Sequence, residues 1–221
     1  ADKSPVTEAD VRAERAIREV LTARFPAHAF YGEETGRSGA DDAPLWLVDP
    51  IDGTKAFVRE YPMFSTQIAL LREGRLVLGV SSAPLYGELA WAERGQGAFL
   101  NGRRLRVSAI DTLEQAALSS GNLKTLALDT ARWSRYGAVV ARLNRIRGYG
   151  DFLHYHLLAG GKIDAVLESD VNVLDVGALV TIVEEAGGRF TDLEGREIGL
   201  DSTTVLATNG RLHEPLRAAL A

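Results

Sequence analysis

The segment Asp49-Pro50-Ile51-Asp52-Gly53-Thr54 carries the side chains best suited to chemistry in this chain. It follows an apolar run that predicts a strand, and it ends where a short helix is predicted to begin. Two carboxylates three residues apart can bind a hard cation, and the N–H groups at a helix start suit a phosphate. Asp-Pro and Asp-Gly are also ordinary turn sequences, so the segment alone has a purely structural alternative.

Other acidic residues follow or precede further predicted elements. Glu33 and Glu34 come after a strand at 29–31, and Asp175 precedes an apolar helix. A solvated loop and a helix N-cap would explain them separately. Two carboxylates about 4 Å apart repel by about 4 kcal/mol at an effective dielectric constant of about 20, so convergence with Asp49 and Asp52 would require bound cations. With no cysteine and no paired histidines, such a site would use oxygen ligands and favour Mg²⁺ or Mn²⁺ over zinc.

The composition is that of an ordinary globular protein. The 221 residues are 46% hydrophobic and 25% charged, which excludes disordered and collagen-like classes. The net charge of −5 disfavours nucleic acid and anionic membranes as partners. No apolar run reaches the roughly 18 residues of a membrane span, no signal-peptide pattern is present, and the lack of cysteine suits a cytoplasmic protein. The chain starts without Met, which leaves open that residues precede Ala1.

Hydrophobic periodicity predicts a change of architecture near the middle of the chain. One helix, with Thr7 as its N-cap, ends at Phe25-Pro26, and strands joined by hairpin turns then indicate an antiparallel sheet. These strands are predicted at 29–31, 45–48, 65–71, 75–81 and 89–93. The second half alternates helices at 129–143, 151–159 and 175–186 with strands at 163–167, 189–192 and 203–207. We therefore predict an α+β half at 1–110 and an α/β half at 111–221, packed tightly together.

Taken together, the motifs resemble the inositol monophosphatase family of Mg²⁺-dependent, lithium-sensitive phosphatases. The resemblance covers essentially the whole chain and implies a layered α-β-α-β-α sandwich of the inositol monophosphatase and fructose-1,6-bisphosphatase type, assembled as a homodimer. Leu174 stands where the family usually has Trp, and the usual amino-terminal helical segment is largely absent. The segments that carry the resemblance are Gly32-Glu33-Glu34, Asp49 to Thr54, Gly95 to Gly102, Asp175 and Val183 to Gly188.

The resemblance implies a set of metal ligands. Glu33, Asp49 and the carbonyl of Ile51 would hold one Mg²⁺, and Asp49, Asp52 and Asp175 would hold a second, so that Asp49 bridges the two. Glu33 would help to bind a third, looser ion, with Glu34 behind it. The expected content is two or three Mg²⁺ per active site, with Mn²⁺ as an alternative.

The resemblance also implies how the site would act on a phosphate ester. Thr54 would orient the attacking water, with Asp10 accepting a hydrogen bond from its hydroxyl and Glu33 assisting. The backbone amides of Gly53 and Thr54 would bind phosphate oxygens. Hydrolysis of this kind depends on cations and positioned water, and it requires no covalent enzyme intermediate.

Two further acids bear on the choice of substrate. Glu168 lies seven positions before Asp175, where family members that act on inositol phosphate place a carboxylate facing substrate hydroxyls. The segment Arg147 to Phe152 resembles the Gly-Asp segment of the histidinol-phosphate phosphatase branch, in which Asp151 would face the amino alcohol or imidazole. Because two negative charges favour an ammonium-bearing ester over a nucleotide, we predict a small phosphorylated metabolite, with histidinol phosphate first. Helix capping by Asp151 is the structural alternative.

Several other functions remain as alternatives or are excluded by missing motifs. Inositol 1-phosphate, 3′-phosphoadenosine 5′-phosphate and fructose 1,6-bisphosphate are the alternative esters. Aspartyl-phosphate phosphatases need Asp-x-Asp, whereas this chain has Asp49-x-x-Asp52, and the P-loop and Gly-x-Ser-x-Gly motifs do not occur. A catalytically silent metal-binding regulatory module is the non-enzymatic alternative, although it would be expected to have lost a ligand.

Overall fold

The computed structural model describes residues 8–221, so the predicted N-cap Thr7 lies outside the described residues. The first half contains two helices and eight strands. They are α1 (Glu8–Arg24), β1 (Ala29–Gly32), β2 (Gly36–Ser38), β3 (Leu45–Asp52), α2 (Thr54–Val58), β4 (Ser65–Arg72), β5 (Arg75–Ala83), β6 (Glu88–Glu93), β7 (Gly97–Leu100) and β8 (Arg103–Arg104).

The second half contains five helices and five strands in residues 111–221. They are β9 (Ala117–Ser120), α3 (Lys124–Leu128), α4 (Thr130–Val140), β10 (Arg145–Arg147), α5 (Asp151–Ala159), β11 (Ala165–Ser169), α6 (Val173–Glu185), β12 (Arg189–Thr191), β13 (Thr204–Thr208) and α7 (His213–Leu220). Sequence periodicity missed β9 and β10, which are short, and placed β11 two residues too early.

The strands form two sheets, one in each half of the chain. The eight-stranded sheet has the order β2-β1-β3-β4-β5-β6-β7-β8, and the five-stranded sheet has the order β10-β9-β11-β13-β12. The larger sheet is antiparallel except where β1 lies parallel to β3, which confirms the predicted antiparallel character of the first half. The division into an α+β half at 1–110 and an α/β half at 111–221 stays a prediction.

Helix α6 forms the central layer between the sheets. Its residues from Val176 to Val183 are buried, and it contacts β4, β5 and β6 of one sheet and β12 of the other. Helix α1 packs on the outer face of the larger sheet through Ile17 and Leu21. Because α4 and α7 cover the outer face of the smaller sheet, the molecule has the predicted α-β-α-β-α layering.

A glycine permits the close approach of α6 to the larger sheet. A Cβ atom on Gly79 of β5 would lie 2.1 Å from the carbonyl oxygen of Ala178 on α6, which is far inside van der Waals contact. The absence of a side chain at residue 79 therefore sets the distance between this sheet and the helix that carries Asp175. Among residues 8–221, no helix combines the length and the apolar character needed to cross a membrane.

The buried histidine of α7 predicts a pH dependence of stability. Burial, followed by the nearby Arg189, lowers the pKa of His213 to about 4, and its ring bonds to the hydroxyls of Thr191 and Thr208. Because an unfolded histidine has a pKa of about 6.5, the folded state favours the neutral ring, and this contribution is present above about pH 6.5 and lost toward pH 4. Between pH 7.5 and 4.5 we expect the wild type to lose about 2 kcal/mol of unfolding free energy relative to His213→Gln.

Urea unfolding of both proteins across that pH range measures the difference. The comparison cancels the titration of other groups, since both proteins share them. A constant difference between the two unfolding free energies at all pH values would contradict the assignment.

Candidate active site

Three carboxylates from two elements converge between the sheet and the central helix. Asp49 and Asp52 lie on β3, which continues through both residues and does not end at residue 48 as predicted, and Asp175 lies in the first turn of α6. One oxygen atom from each side chain lies within 4.8 Å of the others. The register between β3 and β4 shifts between Asp49 and Asp52, so a β-bulge separates the two acids.

Local hydrogen bonds fix each of these acids. The Ile51 amide donates to Asp49 Oδ1 at 2.9 Å, and the Ser65 hydroxyl donates to Asp52 Oδ2 at 3.1 Å. The backbone amide of Asn172 donates to Asp175 Oδ2 at 2.8 Å as part of a capping box at the start of α6. Asp175 is thus the third helical residue, and Asn172 is the N-cap, so the N-cap alternative for Asp175 is wrong.

The cluster carries strong electrostatic repulsion. Burial, followed by Asp52 and Glu33, raises the pKa of Asp49 well above its usual range. Burial, followed by Asp175, likewise raises the pKa of Asp52, and the pKa of Asp175 rises to about 7, chiefly through burial. The salt bridges within residues 8–221 include none of the three. Buried and half-buried carboxylates without a cationic side chain are a donor set that fits hard divalent cations.

Glu33 and Ile51 also lie beside the cluster of the three aspartates. Strands β1 and β3 are parallel, with Gly32 opposite Val48, and the Glu33 amide donates to the Val48 carbonyl at 3.2 Å. The Glu33 carboxylate lies beside Asp49, and its charge is one cause of the raised pKa of Asp49. The structure thus brings Glu33 to Asp49, although the tight cluster itself consists of the three aspartates.

The predicted water-orienting pair is also brought together. The Thr54 hydroxyl lies 3.0 Å from the Ile51 carbonyl and 3.4 Å from Asp10 Oδ1, and Asp10 on α1 is fully buried. Gly53 has φ 89° just before α2, and a Cβ there would lie 2.4 Å from the Met63 carbonyl oxygen. The glycine is therefore required both by its conformation and by the lack of space.

Sequence reasoning missed Glu14, a buried acid that supports the Glu33 loop. Glu14 accepts hydrogen bonds from the amides of Glu34 at 2.8 Å and Thr35 at 3.0 Å. Its carboxylate packs against Gly32, where a Cβ would lie 2.3 Å away. The available signal was the spacing of Asp10 and Glu14, since residues four apart on a helix share one face. Burial, followed by Glu33, raises the pKa of Glu34.

Asp151 and Glu168 line a small cavity together with Asp52 and Asp175. Asp151 is the first residue of α5 and adopts φ 46°, a left-handed conformation that is uncommon for residues other than glycine. Gly150, and not Asp151, is the N-cap of α5, so the capping alternative is wrong. Burial, followed by the charge of Glu168, raises the pKa of Asp151 to about 6.

Glu168 is held rigidly in the cavity wall. Its Oε2 accepts a hydrogen bond from the Tyr155 hydroxyl at 2.6 Å and lies 3.1 Å from His154 Nε2. Burial opposes ionisation, but His154 and these hydrogen bonds outweigh it and lower the pKa of Glu168. A Cβ on Gly121 would lie 1.6 Å from Glu168 Oε1, so this glycine makes room for the carboxylate.

Comparison with solved structures places this fold among known enzymes. The structure of inositol monophosphatase from Anabaena has a TM-score of 0.88 and 32% sequence identity, with 97% of this chain and 86% of that chain covered. This layered fold, with an acidic cluster between the larger sheet and α6, is that of a family of metal-dependent phosphoric monoester hydrolases. The inositol monophosphatase family matches residues 1–221, and the chain belongs to that family.

Named relatives of the chain include histidinol-phosphatases and inositol monophosphatases. The histidinol-phosphatase of Mycobacterium tuberculosis is 41% identical over 224 residues, which cover 99% of this chain and 85% of that protein. The inositol-1-monophosphatase of Caulobacter vibrioides is 36% identical over 230 residues, which cover 97% of this chain and 88% of that protein. The predicted family, fold and enzyme class are confirmed.

Proposed function

We propose that this chain hydrolyses the phosphate monoester of a small cationic amino alcohol, histidinol phosphate first, with Mg²⁺ as its metal. The observation that carries the proposal is the cavity in which Asp151 and Glu168 lie beside the acidic cluster. Two carboxylates in this position favour an ammonium or imidazolium group on the leaving alcohol. The similarity to proteins named histidinol-phosphatase supports the same choice.

The residues divide into metal-holding and substrate-holding groups. Asp49 would bridge two Mg²⁺, with Glu33 and the Ile51 carbonyl on one side and Asp52 and Asp175 on the other, and Glu34 would lie behind a looser third ion. Bound cations supply electrostatic stabilisation of the phosphoryl oxygens. Within this arrangement, the Gly53 and Thr54 amides would bind the phosphoryl group, since they begin a helix.

The neighbouring hydroxyl and acids would position water and the leaving group. Thr54 would hold the attacking water, with Asp10 accepting a hydrogen bond from the Thr54 hydroxyl. Glu168 stays ionised at neutral pH because its pKa is lowered, and Asp151, with a pKa of about 6, is mostly ionised at pH 7.5. Both would therefore present negative charge to the substrate cation.

A panel assay tests the proposal. Phosphate release is measured from histidinol phosphate, inositol 1-phosphate, 3′-phosphoadenosine 5′-phosphate and fructose 1,6-bisphosphate, each with and without Mg²⁺. We expect the highest kcat/KM for histidinol phosphate. A preference for inositol 1-phosphate would favour the second candidate, which the relative of Caulobacter vibrioides supports. No release from any ester would favour the silent metal-binding module.

Replacement of Asp151 by Asn tests the role of its charge. Asn tolerates the left-handed conformation, so the backbone is expected to stay in place. We expect kcat/KM for histidinol phosphate to fall by about tenfold to a hundredfold, because a buried partner of the substrate cation is neutralised. The loss for inositol 1-phosphate should be much smaller.

Asp170→Asn is a matched control for this substitution. Asp170 also has a left-handed backbone, with φ 59°, but it is exposed and does not line this cavity. Replacement of Asp170 by Asn should leave the ratio of kcat/KM for histidinol phosphate to kcat/KM for inositol 1-phosphate unchanged. Equal losses on both esters for Asp151→Asn would indicate a structural role.

The homodimer and the cytoplasmic location stay predictions.

A further inference from the structure

A series of buried polar side chains leads away from Asp52 into the larger sheet. The Ser65 hydroxyl donates to Asp52 Oδ2 at 3.1 Å, and Gln67 Nε2 donates to Ser65 Oγ at 2.8 Å and to Ser81 Oγ at 3.1 Å. Ser65, Gln67 and Ser81 are each at most 1% exposed. Ser65 and Gln67 lie two residues apart on β4, and Ser81 on the neighbouring strand β5 pairs with Gln67.

The series continues to the protein surface through α5. His156 Nε2 lies 2.9 Å from Ser81 Oγ, and His156 Nδ1 lies 2.7 Å from Glu88 Oε2. The hydrogen bond with His156 is the main cause that lowers the pKa of Glu88, whose side chain is 22% exposed. One continuous path of side-chain hydrogen bonds therefore joins a surface carboxylate to Asp52.

Gln67 determines the direction of these hydrogen bonds. Its amide group has two hydrogens, and each is given to a serine oxygen, so each serine must direct its own hydrogen elsewhere. Ser65 then donates to Asp52, and Ser81 donates to His156 Nε2, which leaves the Nδ1 hydrogen of His156 for Glu88. Every donor in the path has an acceptor, whereas Gln67 Oε1 has no hydrogen-bond partner within residues 8–221.

We propose that Gln67 is a positioning residue that orients the Asp52 carboxylate through Ser65. Gln67 is itself held by its hydrogen bond to Ser81, which His156 and Glu88 support in turn. This inference rests on the proposed function in that Asp52 is taken as a metal ligand. The hydrogen bond from Ser65 to Oδ2 fixes the rotation of the Asp52 carboxylate, which has an oxygen within 4.8 Å of ligand atoms of Asp49 and Asp175. Outer partners of metal ligands commonly change metal affinity by about tenfold to a hundredfold when they are removed.

Calorimetric titration of the substrate-free protein with Mg²⁺ tests the inference, using the full chain. For Gln67→Leu we expect Mg²⁺ affinity to fall by about tenfold to a hundredfold. The Mg²⁺ concentration for half-maximal phosphate release should rise in parallel, while KM for the ester at saturating Mg²⁺ changes less than about twofold. Replacement of a residue that only fills the core would not weaken Mg²⁺ binding while leaving KM for the ester nearly unchanged.

Two further variants make the test decisive. Ser81→Ala removes one hydroxyl without adding bulk and disconnects Gln67 from His156, so it should weaken Mg²⁺ binding in the same direction. Thr181→Val on α6 is the control, since Thr181 is also fully buried and its hydroxyl has no partner within the described residues. It should bind Mg²⁺ as the wild type does.

The outcomes distinguish this inference from the proposed function. Folded Gln67→Leu and Ser81→Ala proteins with wild-type Mg²⁺ affinity would overturn the positioning role, even if the wild type is an active phosphatase. Loss of cooperative unfolding in both variants would also overturn it, because the hydrogen-bonded side chains would then be needed for the protein to fold at all. Weakened Mg²⁺ binding in a protein that hydrolyses none of the esters would support the inference and refute the function.

Discussion

Asp52→Asn is expected to lower Mg²⁺-dependent phosphate release by roughly a thousandfold or more, because it removes one of the three charges that would attract the cations. The Ser65 hydroxyl can still donate to the amide oxygen of Asn, so the local hydrogen bond is expected to survive. The loss should therefore reflect charge and not misfolding. Phosphate release measured across a range of Mg²⁺ concentrations gives the size of the effect.

The metal-free form of this variant should be at least as stable as the wild type at pH 7.5. An acid whose pKa is raised on folding disfavours the folded state at pH values above its unfolded pKa, about 3.9 for Asp, and the pKa of Asp52 is raised by burial and by Asp175. Asn does not ionise, so the repulsion disappears. Conversely, the stabilisation that Mg²⁺ gives the wild type should shrink in the variant.

Asp164→Asn is the matched control. Asp164 is also buried, but it accepts the Ala117 amide at 2.7 Å outside the cluster. Its other oxygen accepts from the Ser108 hydroxyl, so the Asn amide NH₂ would face a donor, and the replacement should cost about 1 to 3 kcal/mol of stability while leaving the Mg²⁺ dependence unchanged. Wild-type turnover by Asp52→Asn with an intact Mg²⁺ response would refute the assignment of this residue.

Gly79→Ala is expected to produce the largest loss of stability. The added methyl group would meet the Ala178 carbonyl, a backbone atom that cannot rotate away. Helix α6 would have to move from the sheet, at a cost of about 3 kcal/mol or roughly 6 to 12 °C in Tm. Since α6 carries Asp175 and β3 carries Asp52, Mg²⁺ affinity should fall as well.

Gly137→Ala is the control for this substitution. Gly137 lies in the middle of α4, is exposed, and has no atom within 4 Å of the position of a Cβ. Alanine should stabilise α4 by about 0.5 to 1 kcal/mol. Thermal unfolding of both variants, with and without Mg²⁺, measures the two effects. A Gly79→Ala protein with wild-type Tm would show that α6 does not depend on this contact.

The sequence predicted the larger features of the fold because they depend on local patterns. Hairpin turns and alternating apolar residues indicated the antiparallel sheet, and the helix at 151–159 has the predicted bounds. The errors occurred where neighbours outweigh local preference. β3 continues through Asp49 and Asp52 because β4 pairs with it on the other side of a bulge, although Asp-Pro and Asp-Gly resemble a turn.

Candidate ligands could be recognised in the same way, but their supporting residues could not. Asp49, Asp52 and Asp175 were recognisable from residue type, from the predicted elements next to them and from family resemblance. Glu14 carried only the signal of its spacing from Asp10, and Gln67 carried none, since each acts through partners on another strand or loop.

The chain's own residue order supplies the chemistry of the site: acids at the ends of apolar runs, a glycine before Thr54, and a composition without cysteine. Only the folded molecule places β3 against α6 closely enough for three carboxylates to meet. That distance depends on the bare backbone at Gly79 and on packing between elements far apart in the chain. Such contacts are not encoded by local spacing, because each one requires the whole layered core to form first.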